Sequence, residues 1–421
     1  MIIKVPKGTQ DILPQDIPQW NYVENSIKEV LKKYGYQEIR TPLFEHTELF
    51  VRGIGASTDL VTKEMFTFLD RKGRSLTLRP EGTAPVLRAY LENKMNRISP
   101  VVKLFYLGPM FRREKPQAGR FRQFHQFGME VIGAASPEAD AEVIIASMEV
   151  YRELGLKNLK VLINSVGCKD CRPRYIQKLK EFIKDKLEVL CSECKERYHK
   201  NPLRILDCKR ESCQKIIRET PVITEYLCLD CQQHFKEVRS YLEALGVGYL
   251  LEPHLVRGLD YYTKTAFEII SGELGAQNAI GGGGRYDGLA EELGGDPTPA
   301  VGFAGGIERI ILAMNQQNIK WPEARDLKVF IAIPTQEKDH KLRAFKLLQE
   351  VRKAGLSTDI DYSSKSLKAQ MRLAHKLGVK YTVIMGEEEL LKDSVILRNM
   401  QTKEQKEIRI DSLVKELTSN K

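Results

Sequence analysis

The amino-acid sequence predicts a large α+β domain built on an antiparallel sheet, with a helical insertion, followed by a smaller α/β domain. Three observations predict this architecture. Apolar and aromatic residues alternate with polar ones between residues 101 and 130, around a turn-like segment, which indicates a β-hairpin. All eight cysteines fall within a mainly helical segment at 168–245. After residue 326, short apolar runs alternate with helical patterns, as in a small α/β domain.

The composition is that expected of a globular chain with two to three domains. Of the 421 residues, 42% are hydrophobic and 29% are charged. The sequence has no apolar run of membrane-spanning length and no signal-like N-terminus, so we expect a cytoplasmic protein. The net charge is +10, and residues 326–421 carry 19 basic and 14 acidic side chains, half of that excess. This distribution favours a polyanionic partner such as RNA for the C-terminal domain.

The N-terminal elements follow from helical periodicity and from the positions of proline and glycine. Apolar residues recur at helical spacing over 18–35, and a short strand at 37–42 follows. A strand at 76–79 then leads through a Pro-Gly turn into a helix at 84–91. Glu81 lies near the start of this helix, where it is either a helix-capping acid or a carboxylate that binds an ammonium group.

The hairpin carries polar residues where a core strand would not. Alternate residues of a strand share a face, so one face of its second arm carries Arg120, Arg122, Phe124, Gln126 and Glu130. Burying such a row is costly unless each polar group has a partner. A solvated sheet face is one interpretation. The other is a nucleotide site, in which Phe124 stacks on a base and Arg112, on the first arm, meets a phosphate.

The cysteine-rich segment at 168–245 is predicted to be an insertion. Clustered C-x2-C pairs in a reducing compartment indicate metal binding before disulfides. Two of the pairs can supply four thiolates to one tetrahedral zinc ion, and the predicted ligands are Cys191, Cys194, Cys228 and Cys231. Cys208 and Cys213 are rival ligands, and the Cys168–Cys171 pair is a candidate for a separate feature. Free buried thiols are the alternative.

Two glycine-associated motifs and an arginine follow the insertion. The run at 255–262 places Arg257 and two tyrosines before an alternating strand at 263–270. Residues 280–289 include four consecutive glycines, which let a backbone lie against a ligand without Cβ clashes. Set between a strand and a helix, they predict backbone N–H groups at the floor of a pocket. A strand of small residues then leads into Arg309, at the start of an apolar helix.

The last part of the chain has its own alternation of strands and helices. We predict a linker at 321–326, which divides the chain into domains at 1–325 and 326–421. The predicted helices of the second domain are 336–354, 366–377 and a final helix. Its predicted strands are 329–333, 358–362, 381–385, 394–399 and 406–410.

Taken in order, these motifs resemble those of class II aminoacyl-tRNA synthetases, in the form found in the histidyl-tRNA synthetase family. The helix, strand and proline near the N-terminus resemble motif 1. The Phe-Arg-Arg-Glu run at 111–114 and the stretch at 119–133 resemble motif 2, and the strand that leads to Arg309 resembles motif 3. The runs at 81–83 and 255–262 resemble histidine-specific motifs of the family. The resemblance covers the whole chain.

The resemblance implies an ATP-dependent ligase that activates L-histidine as histidyl-adenylate and transfers it to the 3′ end of histidine tRNA. The histidine contacts that it implies are Glu81, Gly82, Thr83, Gln126, Glu130, Tyr261 and Tyr262. The implied ATP contacts are Arg112, Glu114, Arg120, Phe124, Arg257 and Arg309, with Arg112 and Arg257 catalytic. It further implies Mg²⁺ bound with ATP, a homodimer formed through motif 1, a class II catalytic domain at 1–325 and an anticodon-binding domain at 326–421.

Two other functions compete with this one. A histidine-sensing regulatory paralogue of a histidine-biosynthetic phosphoribosyltransferase shares the fold, but such proteins usually lack the C-terminal domain and depart from the arginine motifs. This chain keeps Arg112, Arg257 and Arg309. An RNA-binding protein with a zinc module is the second alternative, and it would not need all of these motifs together.

Overall fold

The computed structural model describes residues 2–56, 58–117, 119–274, 278–321, 328–363 and 365–419. The chain forms two compact units, Met1–Trp321 and Pro322–Lys421. The predicted boundary between residues 325 and 326, and the predicted linker beyond Trp321, lie outside the described residues. Each unit has its own hydrophobic core.

The first unit is built on a large, mostly antiparallel sheet, as predicted. Its strands are β1 (Gln37–Glu38), β2 (Phe44–His46), β3 (Phe66–Leu69), β4 (Ser75–Leu78), β5 (Val102–Phe111), β6 (Gln123–Ile132), β7 (Leu159–Ser165), β8 (Tyr249–Leu251), β9 (Thr263–Ser271), β10 (Ala279–Arg285) and β11 (Ala300–Gly306). Eight of them form one sheet in the order β1-β5-β6-β11-β10-β9-β7-β8. The pairs at its two edges, β1 with β5 and β7 with β8, are parallel, and the five pairs between them are antiparallel.

Helices cover both faces of this sheet. The helices of this unit, including those of the insertion, are α1 (Ile17–Lys33), α2 (Thr47–Ile54), α3 (Thr83–Glu92), α4 (Pro137–Glu153), α5 (Arg172–Lys184), α6 (Ser192–Lys200), α7 (Glu211–Ile217), α8 (Leu229–Ala244), α9 (Leu289–Glu292) and α10 (Ile307–Gln316). The apolar stripes of α1, α4 and α10 pack on one face, against Phe127 and Met129 of β6. The opposite face packs on α2, α3 and α9. Alternation along β6 therefore turns Phe124, Gln126 and Glu130 towards this second face.

A small three-stranded sheet contains the strand predicted at 76–79, which is β4, and two strands that the sequence analysis missed. Strands β2, β4 and β3 pair antiparallel in that order, next to α2. The two missed strands, β2 and β3, are three and four residues long and largely exposed. Runs this short carry too little alternation to be distinguished from loops.

The four-glycine run is a sheet strand rather than a link between a strand and a helix. Gly281 to Gly284 lie in β10 and pair with β9 on one side and β11 on the other. Their amides therefore belong to an interior strand, and the predicted strand–glycine–helix loop of free N–H groups is wrong. The glycines serve packing instead: a Cβ on Gly281 would lie 2.2 Å from the Phe303 ring, and one on Gly283 would lie 2.1 Å from the Gly302 carbonyl oxygen.

The insertion is helical, as predicted. It comprises α5 to α8 and three short 3-10 turns between them. Its own core includes Tyr175, Leu179 and Ile205 and three of the cysteines. The helix α6 was not predicted; its sequence has few apolar residues, and Cys194 is its one fully buried side chain among those described.

The second unit is a five-stranded sheet covered by helices, in agreement with the predicted small α/β domain. Its strands are β12 (Lys328–Ala332), β13 (Ser357–Ile360), β14 (Tyr381–Ile384), β15 (Ser394–Asn399) and β16 (Gln405–Arg409), in the order β13-β12-β14-β15-β16. Its helices are α11 (Lys338–Lys353), α12 (Leu367–Lys376), α13 (Glu387–Leu391) and α14 (Ile410–Ser419). Among the described residues, no helix is both long and apolar enough to cross a membrane.

Candidate active site

The candidate site is a cavity on the α2–α3 face of the large sheet, floored by β10 and β11. Of the predicted site residues, those that line it are Glu81, Thr83, Arg112, Glu114, Arg120, Phe124, Gln126, Arg257, Tyr261, Tyr262 and Arg309. They come from segments that are far apart in the sequence. Gly82 and Glu130 lie behind the lining, although both contact residues that form it.

Phe124 and Arg112 form one wall of the cavity. The Arg112 guanidinium carbon lies 5.3 Å from the centroid of the Phe124 ring, within cation–π range. Arg112 Nε donates to the Pro80 carbonyl oxygen (2.9 Å), which fixes the arginine on the turn before α3. An aromatic face and a fixed cation thus stand side by side, as a stacked base and an adjoining phosphate require.

The predicted polar row is shorter than expected, because β6 begins at Gln123. Arg120 and Arg122 lie in the preceding loop, so they do not share a strand face with Phe124. The Arg122 backbone N–H donates to the Gly8 carbonyl oxygen (2.7 Å), and Arg122 does not line the cavity among the described residues. Arg120 reaches the cavity from the loop and faces Glu114, with 3.3 Å between Nη1 and Oε2.

Glu81 both caps a helix and faces the cavity, so the two interpretations of this residue coexist. Its carboxylate accepts the backbone N–H groups of Thr83 (2.7 Å) and Ala84 (3.0 Å), at the start of α3. Burial raises the pKa of Glu81, and these two hydrogen bonds oppose the rise. A buried carboxylate on the cavity wall attracts a cation, because burial has removed its water.

Glu130 lies beneath the cavity lining and is completely buried. Its carboxylate accepts hydrogen bonds from the hydroxyl groups of Thr83 (2.8 Å) and Tyr286 (2.5 Å). Burial raises the pKa of Glu130 to about 8, although both hydrogen bonds oppose the rise. The carboxyl is therefore largely protonated at neutral pH, and Thr83 and Tyr286 connect it to the cavity.

The raised pKa of Glu130 predicts a pH dependence of stability. The folded protein holds this proton up to about pH 8, whereas the unfolded chain releases it near 4.5. Stability from this group is thus complete below pH 4.5 and is lost as the pH rises to 8, by about 1.4 kcal/mol per pH unit. We expect the thermal midpoint of the native protein to fall relative to that of Glu130→Gln across this window. Parallel midpoints between pH 5 and 8 would contradict the raised pKa.

Arg257 and Glu268 form an ion pair on the opposite wall. Arg257 Nη1 contacts Glu268 Oε1, and the two side chains are 20% and 26% exposed. Burial opposes the charge of Arg257, but Glu268, together with Tyr262 and Asp207, raises the pKa of the arginine above its usual value. A Cβ on Gly282 would lie 2.4 Å from the guanidinium, so the glycine makes the space that Arg257 occupies. Within the described residues, Arg257 Nε is buried without a hydrogen-bond partner.

Arg309 closes the far end of the cavity at the start of α10. Its Nε donates to the Ala279 carbonyl oxygen (2.7 Å) on the floor strand. Burial lowers the pKa of Arg309, and the neighbouring cation of Arg120 lowers it further. Two arginines in one cavity lining favour an anionic ligand.

Three tyrosines and a glutamine complete the site. The rings of Tyr261 and Tyr262 lie 4.7 Å apart, and those of Tyr261 and Tyr286 lie 5.6 Å apart, measured between centroids. Among the described residues, Gln126 Oε1 is buried without a hydrogen-bond partner. An unpaired buried acceptor is costly, and a donor on a ligand would satisfy it.

The sequence analysis missed several residues that line the cavity. Among those with polar or aromatic side chains are Tyr106, Phe121, Glu268, Tyr286 and Glu308. The signal for Glu268 was available, because it is a lone carboxylate among the apolar residues of β9. Tyr106 left no such signal: its ring lies between Gly82 and Gly128, where Cβ atoms would come within 2.3 Å, and only the fold brings these glycines together.

The cysteines form two groups, which corrects the predicted zinc ligand set. Cys168, Cys171, Cys228 and Cys231 make one group, and Cys191, Cys194, Cys208 and Cys213 make the other. The predicted set of Cys191, Cys194, Cys228 and Cys231 is therefore divided between them. The sequence analysis joined two C-x2-C pairs on their spacing alone. In the folded insertion, the Cys191–Cys194 pair lies beside Cys208 and Cys213, and the Cys228–Cys231 pair lies beside Cys168 and Cys171.

Comparisons with known proteins agree on one family. The family model for histidyl-tRNA synthetase matches residues 8–310, and that for an anticodon-binding domain matches residues 328–420. A histidine–tRNA ligase of Desulforamulus reducens is 53% identical over 414 residues, 98% of each chain. One from Caldanaerobacter subterraneus is 53% identical over 415 residues, 99% of each. The structure of the histidyl-tRNA synthetase of S. aureus without ligand superposes with a TM-score of 0.82 at 41% identity, covering 99% of this chain and 100% of the other.

Proposed function

Because this chain belongs to the histidyl-tRNA synthetase family, we propose that the cavity activates histidine with ATP and passes the product to tRNA. The activity is that of a histidine–tRNA ligase, and the alternative of a regulatory paralogue is not favoured. The reaction has two steps. The histidine carboxylate attacks the α-phosphorus of ATP and expels pyrophosphate, and the 3′-terminal ribose of tRNA then takes the histidyl group and releases AMP.

The arginine-rich side of the cavity binds ATP in this proposal. Phe124 stacks on adenine beside the guanidinium of Arg112. Arg309, with Arg120 and Glu114 nearby, lies where the outer phosphates extend. The carboxylates of Glu114 and Glu268 in the lining fit Mg²⁺, which takes one or two carboxylates along with phosphate oxygens. Bound with ATP, Mg²⁺ neutralises charge on the phosphates.

The buried carboxylates on the other side bind histidine. Glu81 and the unpaired Gln126 Oε1 accept hydrogen bonds from the α-ammonium group, next to Thr83 and Gly82 at the start of α3. The imidazole ring lies among the tyrosines, where Tyr262 pairs with one ring nitrogen, and Glu130 acts on the other through the hydroxyl groups of Thr83 and Tyr286. A site of polar pairs rejects analogues that lack the ring nitrogens, since its own groups would stay unpaired.

Adenylate formation needs little from the protein beyond position and charge. Negative charge builds on the α-phosphate as the histidine carboxylate attacks it. Arg112 and Arg257 stand on opposite walls, so one fixed cation is available to each side of the phosphate. Because Glu268 and Gly282 hold Arg257 before any substrate arrives, its charge is oriented at no further cost.

The position of Glu130 predicts a change specific to histidine. We expect Glu130→Gln to weaken histidine binding by about 2- to 10-fold, the usual range for one neutral hydrogen bond, because the amide nitrogen of Gln cannot accept from the hydroxyl group of Thr83 or Tyr286. ATP binding should change little, because Phe124 and the arginines are untouched. Calorimetric titration measures the affinity for histidine and the affinity for ATP separately. Tyr286→Phe should also weaken histidine binding and leave ATP binding nearly unchanged. Equal losses for the two ligands would show that Glu130 acts only on the fold.

The observation that carries this proposal is the convergence of Arg112, Arg257 and Arg309 with the buried acids Glu81 and Glu130 around one cavity. ATP–pyrophosphate exchange dependent on histidine tests it directly. We expect exchange with histidine and none with other amino acids. A histidine-sensing regulatory protein, or an RNA-binding protein with a metal module, would bind its ligand without any exchange.

We extend the proposal to the partners and organisation of the chain. The first domain, residues 1–325, is catalytic, and the second, residues 326–421, binds the anticodon of histidine tRNA. Two copies associate through the motif 1 helix α1 and the strand after it, and the homodimer acts in the cytoplasm. Zinc takes no part in either chemical step, and as a structural ion it belongs to the cysteine groups considered next.

A further inference from the structure

All eight cysteines of the chain lie in two four-sulfur groups, which we name by their place in the insertion. The proximal cluster is Cys168, Cys171, Cys228 and Cys231, where the insertion leaves and rejoins the sheet. The distal cluster is Cys191, Cys194, Cys208 and Cys213. In each cluster the four sulfur atoms lie within 4.8 Å of one another. We propose that both clusters are tetrathiolate zinc sites and that they hold the loop from Arg257 to Tyr262 from two sides.

The sulfur spacing fits a single ion at the centre of each cluster. In the proximal cluster, Cys168 Sγ lies 3.7 Å from Cys171 Sγ and 3.8 Å from Cys228 Sγ, and Cys171 Sγ lies 3.9 Å from Cys231 Sγ. A tetrahedron with zinc–sulfur bonds of about 2.3 Å has edges of about 3.8 Å. Disulfide sulfurs would be about 2.05 Å apart. A multi-iron cluster would need a wider cage than sulfurs within 4.8 Å of one another provide.

The local backbone favours thiolates at these positions. Each cluster joins two pairs with the C-x2–4-C spacing of structural zinc sites. Cys171, Cys191 and Cys228 each immediately precede a helix, where the partial positive charge of the helix start stabilises an anion. Backbone N–H groups also donate to sulfur, from Cys168 to Cys171 Sγ (3.2 Å) and from Cys191 to Cys213 Sγ (3.4 Å).

The proximal cluster fixes the C-terminal end of the loop from Arg257 to Tyr262. Arg172, directly after Cys171, donates to the carbonyl oxygens of Val166 (3.0 Å), Gly167 (3.1 Å) and Tyr262. Lys264, two residues beyond Tyr262, pairs with Asp230 (2.9 Å), which lies between Cys228 and Cys231. The metal would therefore fix the segment on which Tyr262 faces histidine.

The distal cluster fixes the other end. Between Cys194 and Cys208, Asn201 Nδ2 donates to Asp260 Oδ1 (2.8 Å) and Arg204 Nη1 donates to the Arg257 carbonyl oxygen (3.2 Å). The turn that carries them is held by a small core in which Cys194, Cys208 and Cys213 are buried. Loss of the ion would loosen this turn and, through it, the backbone of Arg257.

Metal content tests the first half of the proposal and does not depend on the proposed function. The protein should be purified without an affinity tag and without chelator. Inductively coupled plasma mass spectrometry should then find two zinc ions per chain. Cys168→Ser and Cys208→Ser should each lose one ion, and the double variant should lose both. Lys169→Ala and Ser192→Ala alter exposed residues between the ligands and should keep both. Cobalt substitution should give the visible bands of tetrahedral thiolate coordination.

The native protein decides this half even if the serine variants fail to fold. Fewer than two zinc ions, eight freely titrating thiols, disulfides, or bound iron in place of zinc would each overturn it.

The second half of the proposal, that the clusters hold the loop from Arg257 to Tyr262, rests on the proposed function. Its test uses hydrogen exchange as well as kinetics. Removal of the metal should speed amide exchange at 257–262 and raise the KM for histidine at least 10-fold more than that for ATP. If hydrogen exchange at the amides of residues 257–262 is unchanged in metal-free protein, the clusters do not hold this loop. The proposal that both clusters bind zinc would still be valid in that case.

Discussion

Arg257→Ala should reduce histidine-dependent ATP–pyrophosphate exchange by about 10²- to 10³-fold, the usual loss when one fixed donor is removed from a developing charge. The reduction should appear in kcat, with little change in the KM for histidine, because Arg257 meets the phosphate and not the amino acid. Glu268 and the space over Gly282 hold the Arg257 side chain in place before substrate binds. Substrate binding therefore cannot bring another cation to this position in the variant.

Two controls separate this role from general damage. Arg88→Ala removes an arginine of similar exposure that pairs with Glu45 and Glu92 away from the cavity, and it should keep near-normal exchange. Arg257→Ala also leaves Glu268 unpaired, so its carboxylate would repel ATP. If exchange recovers in the double variant with Glu268→Ala, the arginine neutralises Glu268 and does not act on the phosphate.

A chain that ends at Arg325 should keep histidine-dependent exchange and lose tRNA charging by roughly 10²-fold or more at low tRNA concentration. The cavity belongs to the first unit, whereas the second unit carries half of the net charge and has its own core. The anticodon bases are single-stranded, and stacking on an aromatic side chain is worth about 1–3 kcal/mol per base. Phe345 and Tyr362 are exposed aromatic residues of this unit.

Changes in the tRNA make this test specific. The full chain should bind histidine tRNA with an altered anticodon as weakly as the shortened chain binds native tRNA, and the shortened chain should not distinguish the two. The affinity that the shortened chain loses should depend steeply on salt, because phosphate contacts release counterions. Sedimentation must show that the shortened chain is still a dimer. A dimeric shortened chain that charges tRNA normally would remove the anticodon role from residues 326–421.

The fold and the family could be predicted from the sequence because the informative residues are local. The alternation in the hairpin, the periodicity in α1 and the ordered motifs around Glu81, Arg112 and Arg257 each depend on residues that are close together in the sequence. The same holds for the second unit, whose strands and helices are simple apolar runs.

Long-range pairing could not be predicted in this way. Which cysteine pairs meet depends on how four helices fold back on each other, and spacing gave the wrong answer. The four-glycine run was predicted to link a strand to a helix, because glycine is typical of turns and loops. The reason for these glycines lies in distant parts of the chain: the Phe303 ring of β11 and the Arg257 guanidinium, from the loop before β9, occupy the space of the absent side chains. Glu130 was predicted in the wall, yet it sits one layer deeper.

The order of strands in the large sheet has a consequence for how the protein is made. Strand β11 is synthesised last among the eight, yet it occupies the centre, between β6 and β10. Until it emerges from the ribosome, the sheet exists as two separate halves, each with an unpaired edge that can join another chain. Gln126 lies on one half and Glu268 on the other. A nascent chain that stops before residue 300 therefore has no cavity. When β11 inserts between β6 and β10, it pairs with both exposed edges and completes the site in the same step.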